Sequence, residues 1–188
     1  FLLRRFDRQI GAASLLLVAG ALTLDLAVSN GPNESTALPP SRFEVMRADT
    51  TNETIALLRH KLAETAGPDR IDRVELAAVG FDWPNLGLIH GFQHDLGYNP
   101  VRLSWFVDAT AAQDQVAVVE QRPFAPLFSS YRSLMADMLG VRFIASAFPI
   151  ERIDPELKSG DLNFIAQTKD AYVYENPRAL PRVMVARQ

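Results

Sequence analysis

A short stretch of this chain, residues 80–99, concentrates side chains that could contact a polar ligand. These side chains are two carboxylates, two imidazoles and two aromatic rings: Asp82, Asp95, His90, His94, Trp83 and Tyr98. Aromatic faces beside acids suit contact with a carbohydrate. Glycine, proline and asparagine punctuate the stretch and predict an irregular loop, where binding groups commonly lie. We therefore predict these six as substrate-binding residues. The competing interpretation is a solvated loop whose aromatic rings anchor it to the core.

The spacing of His90 and His94 raises the question of a metal. Two histidines four apart beside Asp95 would suit a metal ion if they lay on one helix. Gly87 and Gly91 interrupt the helical pattern, so the spacing of four does not place the two histidines on one face of a helix. The sequence predicts no metal site, no cofactor and no catalytic residue, since phosphate-binding loops and nucleophile elbows are also missing.

Composition excludes several classes of function. The chain has 188 residues, a formal net charge of −3 and no cysteine. A mildly acidic chain is a poor nucleic-acid ligand, so no nucleic-acid partner is predicted. Without cysteine there is no disulfide framework, thiol catalysis or thiolate metal site.

The beginning of the chain has the pattern of a membrane span. Residues 1–9 contain Arg4, Arg5 and Arg8, and residues 10–24 carry no charge. Continued to residue 28, a helix approaches the roughly 30 Å of a bilayer core. Many of its residues are small, as in helices that pack against others in lipid. We predict a cytoplasmic flank at 1–9 and a transmembrane helix at 10–28, with lipid and the other membrane helices of a parent protein as partners.

Two other interpretations of the same segment remain open. A secretory signal peptide has the same basic start and apolar run, and Ala27-Val28-Ser29 is a passable cleavage site. A buried helix of a soluble protein is also compatible with the length. The membrane span is the preferred interpretation, and the arginines before it then place the following domain outside the cytoplasmic membrane of a bacterium.

The remainder predicts a linker at 29–48 and one α+β domain at 49–188. Thr50 and Glu53 fit a capping box at the start of a helix, and Asn99-Pro100 and Pro126 suggest two more helix starts. The helix from Pro126 would end at Leu139, with an apolar stripe and a left-handed Gly140 after it. Strands are predicted at 73–79, 141–145 and 183–186, with a hairpin of 162–167 and 171–174. The sheet is therefore mixed or antiparallel, with two to three packed helices.

Three segments together resemble a known family. They are Asp25-Leu26 followed by Gly97-Tyr98-Asn99-Pro100, then Met138-Leu139-Gly140-Val141-Arg142-Phe143-Ile144, then Tyr172-Val173-Tyr174-Glu175-Asn176-Pro177-Arg178-Ala179-Leu180-Pro181-Arg182. The chain resembles the C-terminal extracytoplasmic region of the YfhO-like bacterial membrane proteins, which are multi-spanning and of the GT-C glycosyltransferase type. The turn chemistry of the third segment favours a structural role, in which Glu175 and Arg182 could pair.

The resemblance implies a function for the whole protein. Such proteins are implicated in transferring sugars from lipid-linked donors to envelope polymers, with catalytic acids in an early loop that would precede Phe1. This region would then be an accessory, substrate-facing domain, incomplete at its C-terminal end, whose partners are a lipid-linked sugar or an envelope polymer. The alternative is a non-enzymatic, membrane-tethered envelope domain that binds a polymer or a protein.

Overall fold

The computed structural model describes residues 11–30, 39–67, 70–80, 82–95, 97, 103–110, 113–114, 126–127 and 130–182. The chain divides into two compact units, residues 1–42 and residues 43–188. The second unit is α+β with a four-stranded mixed sheet, and the first holds one apolar helix. The predicted fold class is confirmed.

The first unit contains helix α1, Ala12–Asn30. None of its side chains is buried, and it is long and apolar enough to cross a membrane. A signal sequence has the same properties. The helix ends two residues beyond the predicted span, where the Asn30 side chain donates to the Leu26 carbonyl at 3.0 Å. The predicted basic flank lies outside the described residues.

The second unit begins within the predicted linker. Pro40–Met46 forms a 3₁₀ helix, whereas residues 31–38 lie outside the described part. Helix α2, Glu53–Thr65, follows. Its N-cap is Asn52, so the predicted Thr50–Glu53 capping box is wrong. The Asn52 carboxamide accepts from the amides of Thr54 and Ile55 at 3.0 and 3.2 Å, and Thr50 instead accepts from the Asn52 amide.

Six strands occur in the described residues. In chain order they are β1 Arg73–Ala77, β2 Gln113–Asp114, β3 Pro126–Leu127, β4 Val141–Ser146, β5 Asn163–Gln167 and β6 Tyr172–Glu175. The main sheet has the order β1-β4-β6-β5. β1 and β4 are parallel, whereas β4, β6 and β5 pair antiparallel, so the predicted hairpin is confirmed. The predicted strand at 183–186 lies outside the described residues.

Side-chain alternation along these strands separates two hydrophobic cores. Val74, Leu76 and Phe143 belong to the core that contains α2. Ala77, Ile144 and other residues belong to the second core, which surrounds Tyr131. Because successive strand residues point to opposite faces, the sheet lies between the two cores.

The remaining helices are short. They are α3 Gly87–His90, α4 Ser104–Thr110 and α5 Leu134–Met138, with 3₁₀ turns at Trp83–Asn85 and Ile150–Arg152. The Asn99-Pro100 helix start lies outside the described residues.

The predicted helix from Pro126 to Leu139 is wrong in its length. Pro126–Leu127 pairs with β2 as a strand, and Ser133 caps α5 by accepting from the Ala136 amide at 3.2 Å. Leu134 and Met138 are exposed, so the expected apolar stripe does not face the core. The predicted left-handed residue after the helix is confirmed, since Gly140 has φ 70°.

Candidate functional site

The stretch with the predicted binding residues contains more regular structure than expected. The 3₁₀ turn Trp83–Asn85 leads into α3, which ends at Gly91 in the left-handed conformation, φ 74°. Gly87 is required for packing, because a Cβ there would lie 2.6 Å from the Phe92 carbonyl oxygen. The backbone then runs beside β1, where the Val74 amide donates to the Gln93 carbonyl at 2.8 Å. We call residues 92–95 the clasp segment.

Trp83 is an anchor of the core. Its side chain is buried and packs in the same cluster as Leu86 and Phe92. Asp82 is half-buried at the N-terminal end of the 3₁₀ turn, and its side chain makes no capping hydrogen bond there. Tyr98 lies outside the described residues. For Trp83 the structure thus agrees with the anchoring interpretation of the loop.

His90 is also held by internal contacts. Its Nε2 lies 2.6 Å from the Val45 carbonyl oxygen, and its Nδ1 lies 2.8 Å from an Arg59 guanidinium nitrogen. A neutral imidazole satisfies both contacts, with Nε2–H as donor to the carbonyl and Nδ1 as acceptor from arginine. The ring is buried and tilts against Phe92, with 5.8 Å between centroids. His90 therefore connects α3 to α2 and to the 3₁₀ helix Pro40–Met46.

His94 and Asp95 meet two charged residues of β1. His94 Nδ1 lies 3.2 Å from Glu75 Oε2, and Asp95 Oδ1 lies 3.3 Å from Arg73 Nε. The side chains of Glu75 and Asp95 are only 1% and 8% exposed, and that of His94 is 8% exposed. Burial on this scale makes the ion pairs strong determinants of local structure, because an unpaired carboxylate would be costly there.

Burial and neighbouring charges shift two of these groups. Burial raises the pKa of Asp95 to about 6, although the Arg73 guanidinium opposes the shift. Burial lowers the pKa of His94, but the charge of Glu75, a hydrogen bond to it and the charge of Asp95 outweigh that effect and raise it overall. Asp95 therefore takes up a proton at higher pH than an isolated carboxyl group, and His94 keeps its proton to higher pH than an isolated imidazole.

The cluster is charge-balanced and does not resemble a metal centre. Among the described residues, no three histidine or carboxylate side chains are arranged to hold a metal ion. His90 lies on α3 and His94 in the segment after it, so their spacing of four has no helical meaning.

Glu75 and Arg73 are the members of the cluster that sequence analysis missed. The signal was a carboxylate inside the apolar strand Val74-Glu75-Leu76-Ala77-Ala78. A charged residue flanked by buried neighbours needs a partner. The spacing of residues in the sequence did not identify His94 as the partner of Glu75, because the 3₁₀ turn and α3 lie between the two residues along the chain.

The third segment of the family resemblance forms a second polar cluster. Asn176 is fully buried, and its side-chain amide donates to Asp137 Oδ1 at 2.7 Å and to the Val141 carbonyl at 3.1 Å. The side-chain carbonyl oxygen of Asn176 accepts from the Arg178 amide, and the Arg178 guanidinium donates to Asp137 Oδ2 at 3.1 Å. This arrangement agrees with the structural role predicted for the segment.

The predicted ion pair of that segment is wrong. Glu175 pairs with Arg142 at 3.1 Å, because β6 and β4 are neighbours in the sheet. Arg182 instead donates to the Gln93 side chain at 2.8 Å, beside the clasp segment.

Comparison with known proteins adds no relative: no family model, curated protein or solved structure matches this chain.

Proposed function

We propose that this chain is the extracytoplasmic, substrate-facing accessory region of a membrane glycosyltransferase-like protein, and that it carries no catalytic residue itself. The observation that carries the proposal is a fully exposed apolar helix of 19 residues in front of a separate unit with its own cores. A helix this long and apolar, with no buried side chain, is suited to lipid or to other membrane helices around it.

The family resemblance supports the same proposal. Its third segment coincides with the buried Asn176 cluster, where each residue type makes a specific contact, since asparagine bonds three groups and arginine neutralises Asp137. Residue types fixed by such contacts are what a shared fold would preserve. The substrate-facing role belongs to the stretch of Asp82, Trp83, His90, His94, Asp95 and Tyr98, with lipid-linked sugar or envelope polymer as the ligand.

One observation favours the alternative of a non-enzymatic domain that binds a polymer or protein. The side chains of Trp83 and His90, together with the His94–Asp95 pair, are engaged in internal contacts. Side chains whose polar groups already have partners within the domain have less capacity to bind a sugar. A domain of that kind would still be tethered by α1.

The location is tested by fusing two reporters after Gln188 in separate strains. A phosphatase that folds only outside the cytoplasm should be active, and a fluorescent protein that folds only inside should be dark. Membrane fractions washed with alkaline carbonate should retain the uncleaved chain. Release of a protein that begins at Asn30, after cleavage behind Ser29, would instead identify α1 as a signal peptide, and a bright cytoplasmic reporter would overturn the orientation.

The accessory role is tested in the full-length protein. Deleting residues 43–188 should abolish sugar transfer while leaving the other membrane helices inserted, and the isolated chain should transfer no sugar. Undiminished transfer after the deletion would refute the substrate-facing role. Polymer binding by a full-length protein that never transfers sugar would select the non-enzymatic alternative.

A further inference from the structure

The clasp segment covers an edge of the main sheet. β1 is the first strand in the order β1-β4-β6-β5, so β4 pairs with one side of it, and no strand of the described residues pairs with the other side, which we call its edge. Along that edge, one backbone hydrogen bond joins Val74 to Gln93, and the ion pairs Glu75–His94 and Arg73–Asp95 lie close by. A single backbone hydrogen bond contributes little, so the segment is held mainly by these ion pairs and by Phe92, which is buried in the core.

The carboxylates of this attachment depend on their counter-charges. Within the described part of the chain, Asp95 Oδ2 is buried without a hydrogen-bond partner, and Glu75 Oε2 has only its contact with His94 Nδ1 at 3.2 Å. Arg73 is already engaged, since its guanidinium also donates to the Leu139 carbonyl. A buried carboxylate with few hydrogen bonds is stable only beside an opposite charge or after taking up a proton.

His94 decides the charge balance. Among the described residues, the charged groups that face it include Glu75 from β1 and Asp95 from its own segment, and Asp95 also faces Arg73 and Arg182. With His94 protonated and Asp95 ionised, the four central groups carry two positive and two negative charges. Without that proton, two buried carboxylates share the charge of Arg73, with Arg182 at the exposed rim.

We propose that the clasp segment is a proton-controlled device, closed on β1 while His94 is protonated and released from β1 as His94 loses its proton. The inference rests on the proposed function, because it describes regulation of the same binding stretch. Release would carry Phe92 out of the core and uncover Trp83 beside it. A domain outside the cytoplasm meets the pH of its surroundings directly, so the device would couple the shape of the stretch to acidity.

The direction of the response follows from the two shifted groups. The pKa of His94 is raised and that of Asp95 is about 6, so both gain protons more readily in the closed, folded arrangement than in a solvated chain. A state that binds protons more tightly is favoured as the pH falls. Closure is therefore expected to be favoured as the pH falls, and release as the pH rises.

The test uses the full chain in detergent micelles with Trp105→Phe, which leaves Trp83 as the single tryptophan. Trp105 is exposed, so its removal also removes a background signal. Acrylamide quenching of Trp83 and hydrogen exchange of the Val74 amide, corrected for its intrinsic rate, are measured at pH 5.5 and 8.5. The corrected exchange rate should rise at least about tenfold, the equivalent of one pKa unit.

Three variants separate proton control from a passive contact. His94→Gln should give rapid Val74 exchange at both pH values, whereas Glu75→Gln should give slow exchange at both, because no buried carboxylate then needs His94. His60→Gln is the matched control, since His60 pairs with Glu64 on the exposed face of α2. It should leave the pH response unchanged.

Equal quenching and exchange at the two pH values before His94 is changed would overturn the proposal, and so would a pH response that persists in His94→Gln. Because Glu75→Gln is expected to fold and to close, failure of His94→Gln to fold does not leave the proposal untested. Activity of the reporter that folds only in the cytoplasm would refute the proposed function, but it would not change the quenching and hydrogen-exchange results by which the proton-controlled device is tested.

Discussion

Two buried polar clusters in the same sheet are built differently. The Asn176 cluster joins Asp137, Val141 and Arg178 by directed hydrogen bonds, and the key side chain is an amide that does not titrate. The clasp cluster instead relies on ion pairs between Glu75, His94, Arg73 and Asp95, and the pKa values of His94 and Asp95 are raised there. The contrast separates a fixed part of the scaffold from a part whose stability depends on pH.

The largest effect is expected from breaking the fixed cluster. Asn176→Ala leaves the Asp137 carboxylate, the Val141 carbonyl and the Arg178 amide without their shared partner. We expect the free energy of unfolding to fall by about 4 kcal/mol, as several buried groups lose hydrogen bonds. Urea unfolding measures this, with Asn163→Ala on the exposed edge strand as control. A loss below about 1 kcal/mol would show that the two clusters do not differ as described.

An intermediate effect is expected from pH. The folded pKa of Asp95 is about 6 against an ordinary value of 3.8, so its proton stabilises the folded state most below 3.8, and that contribution is lost as pH rises through 6. The loss amounts to at most about 3 kcal/mol, at 1.36 kcal/mol per unit. Because the pKa of His94 is also raised in the folded state, the free energy of unfolding should continue to fall above pH 6.5.

Urea unfolding at pH 4.5, 6 and 8 checks this decline. Asp95→Asn should flatten the lower part of the profile, whereas Asn176→Ala should lower the whole profile and keep its slope. A chain that becomes more stable from pH 4.5 to 8 would contradict the assignment of Asp95 and His94.

The smallest effect is expected at the exposed end of the fixed cluster. Pro181 lies after the turn and is exposed, so Pro181→Ala acts mainly by loosening the unfolded chain. We expect a loss of about 0.4–1 kcal/mol with an unchanged pH profile, measured by thermal or urea unfolding. A loss several times larger would mean that Pro181 belongs to the packed part of the turn.

The elements that depend on neighbours in sequence could be predicted well. The alternation around β5 and β6 located a real hairpin, and the glycine after Leu139 is left-handed as expected. The capping residue of α2 was misplaced by two positions because Thr50 and Asn52 both have suitable side chains, and only the backbone decides which one accepts from the first turn.

Contacts between distant segments could not be predicted. The site stretch was identified, but Glu75 and Arg73 were not connected to it, since the pairing of His94 with β1 depends on how the chain folds back after α3. The prediction of a long helix from Pro126 was wrong for a related reason. Pro126–Leu127 pairs with β2, and a prediction from local helix propensity does not take such a pairing into account. Tertiary pairing outweighed local preference in both places.

The parallel pairing of β1 with β4 has a consequence for how the chain is made. β1 leaves the ribosome long before β4, so it must remain unpaired while α3, α4 and α5 are synthesised. Antiparallel β4, β6 and β5 are close in sequence and form the part with the shortest loops to close. We expect this C-terminal hairpin sheet to form first and β1 to dock late, so any secretion or membrane-insertion machinery would meet β1 as an exposed strand during synthesis.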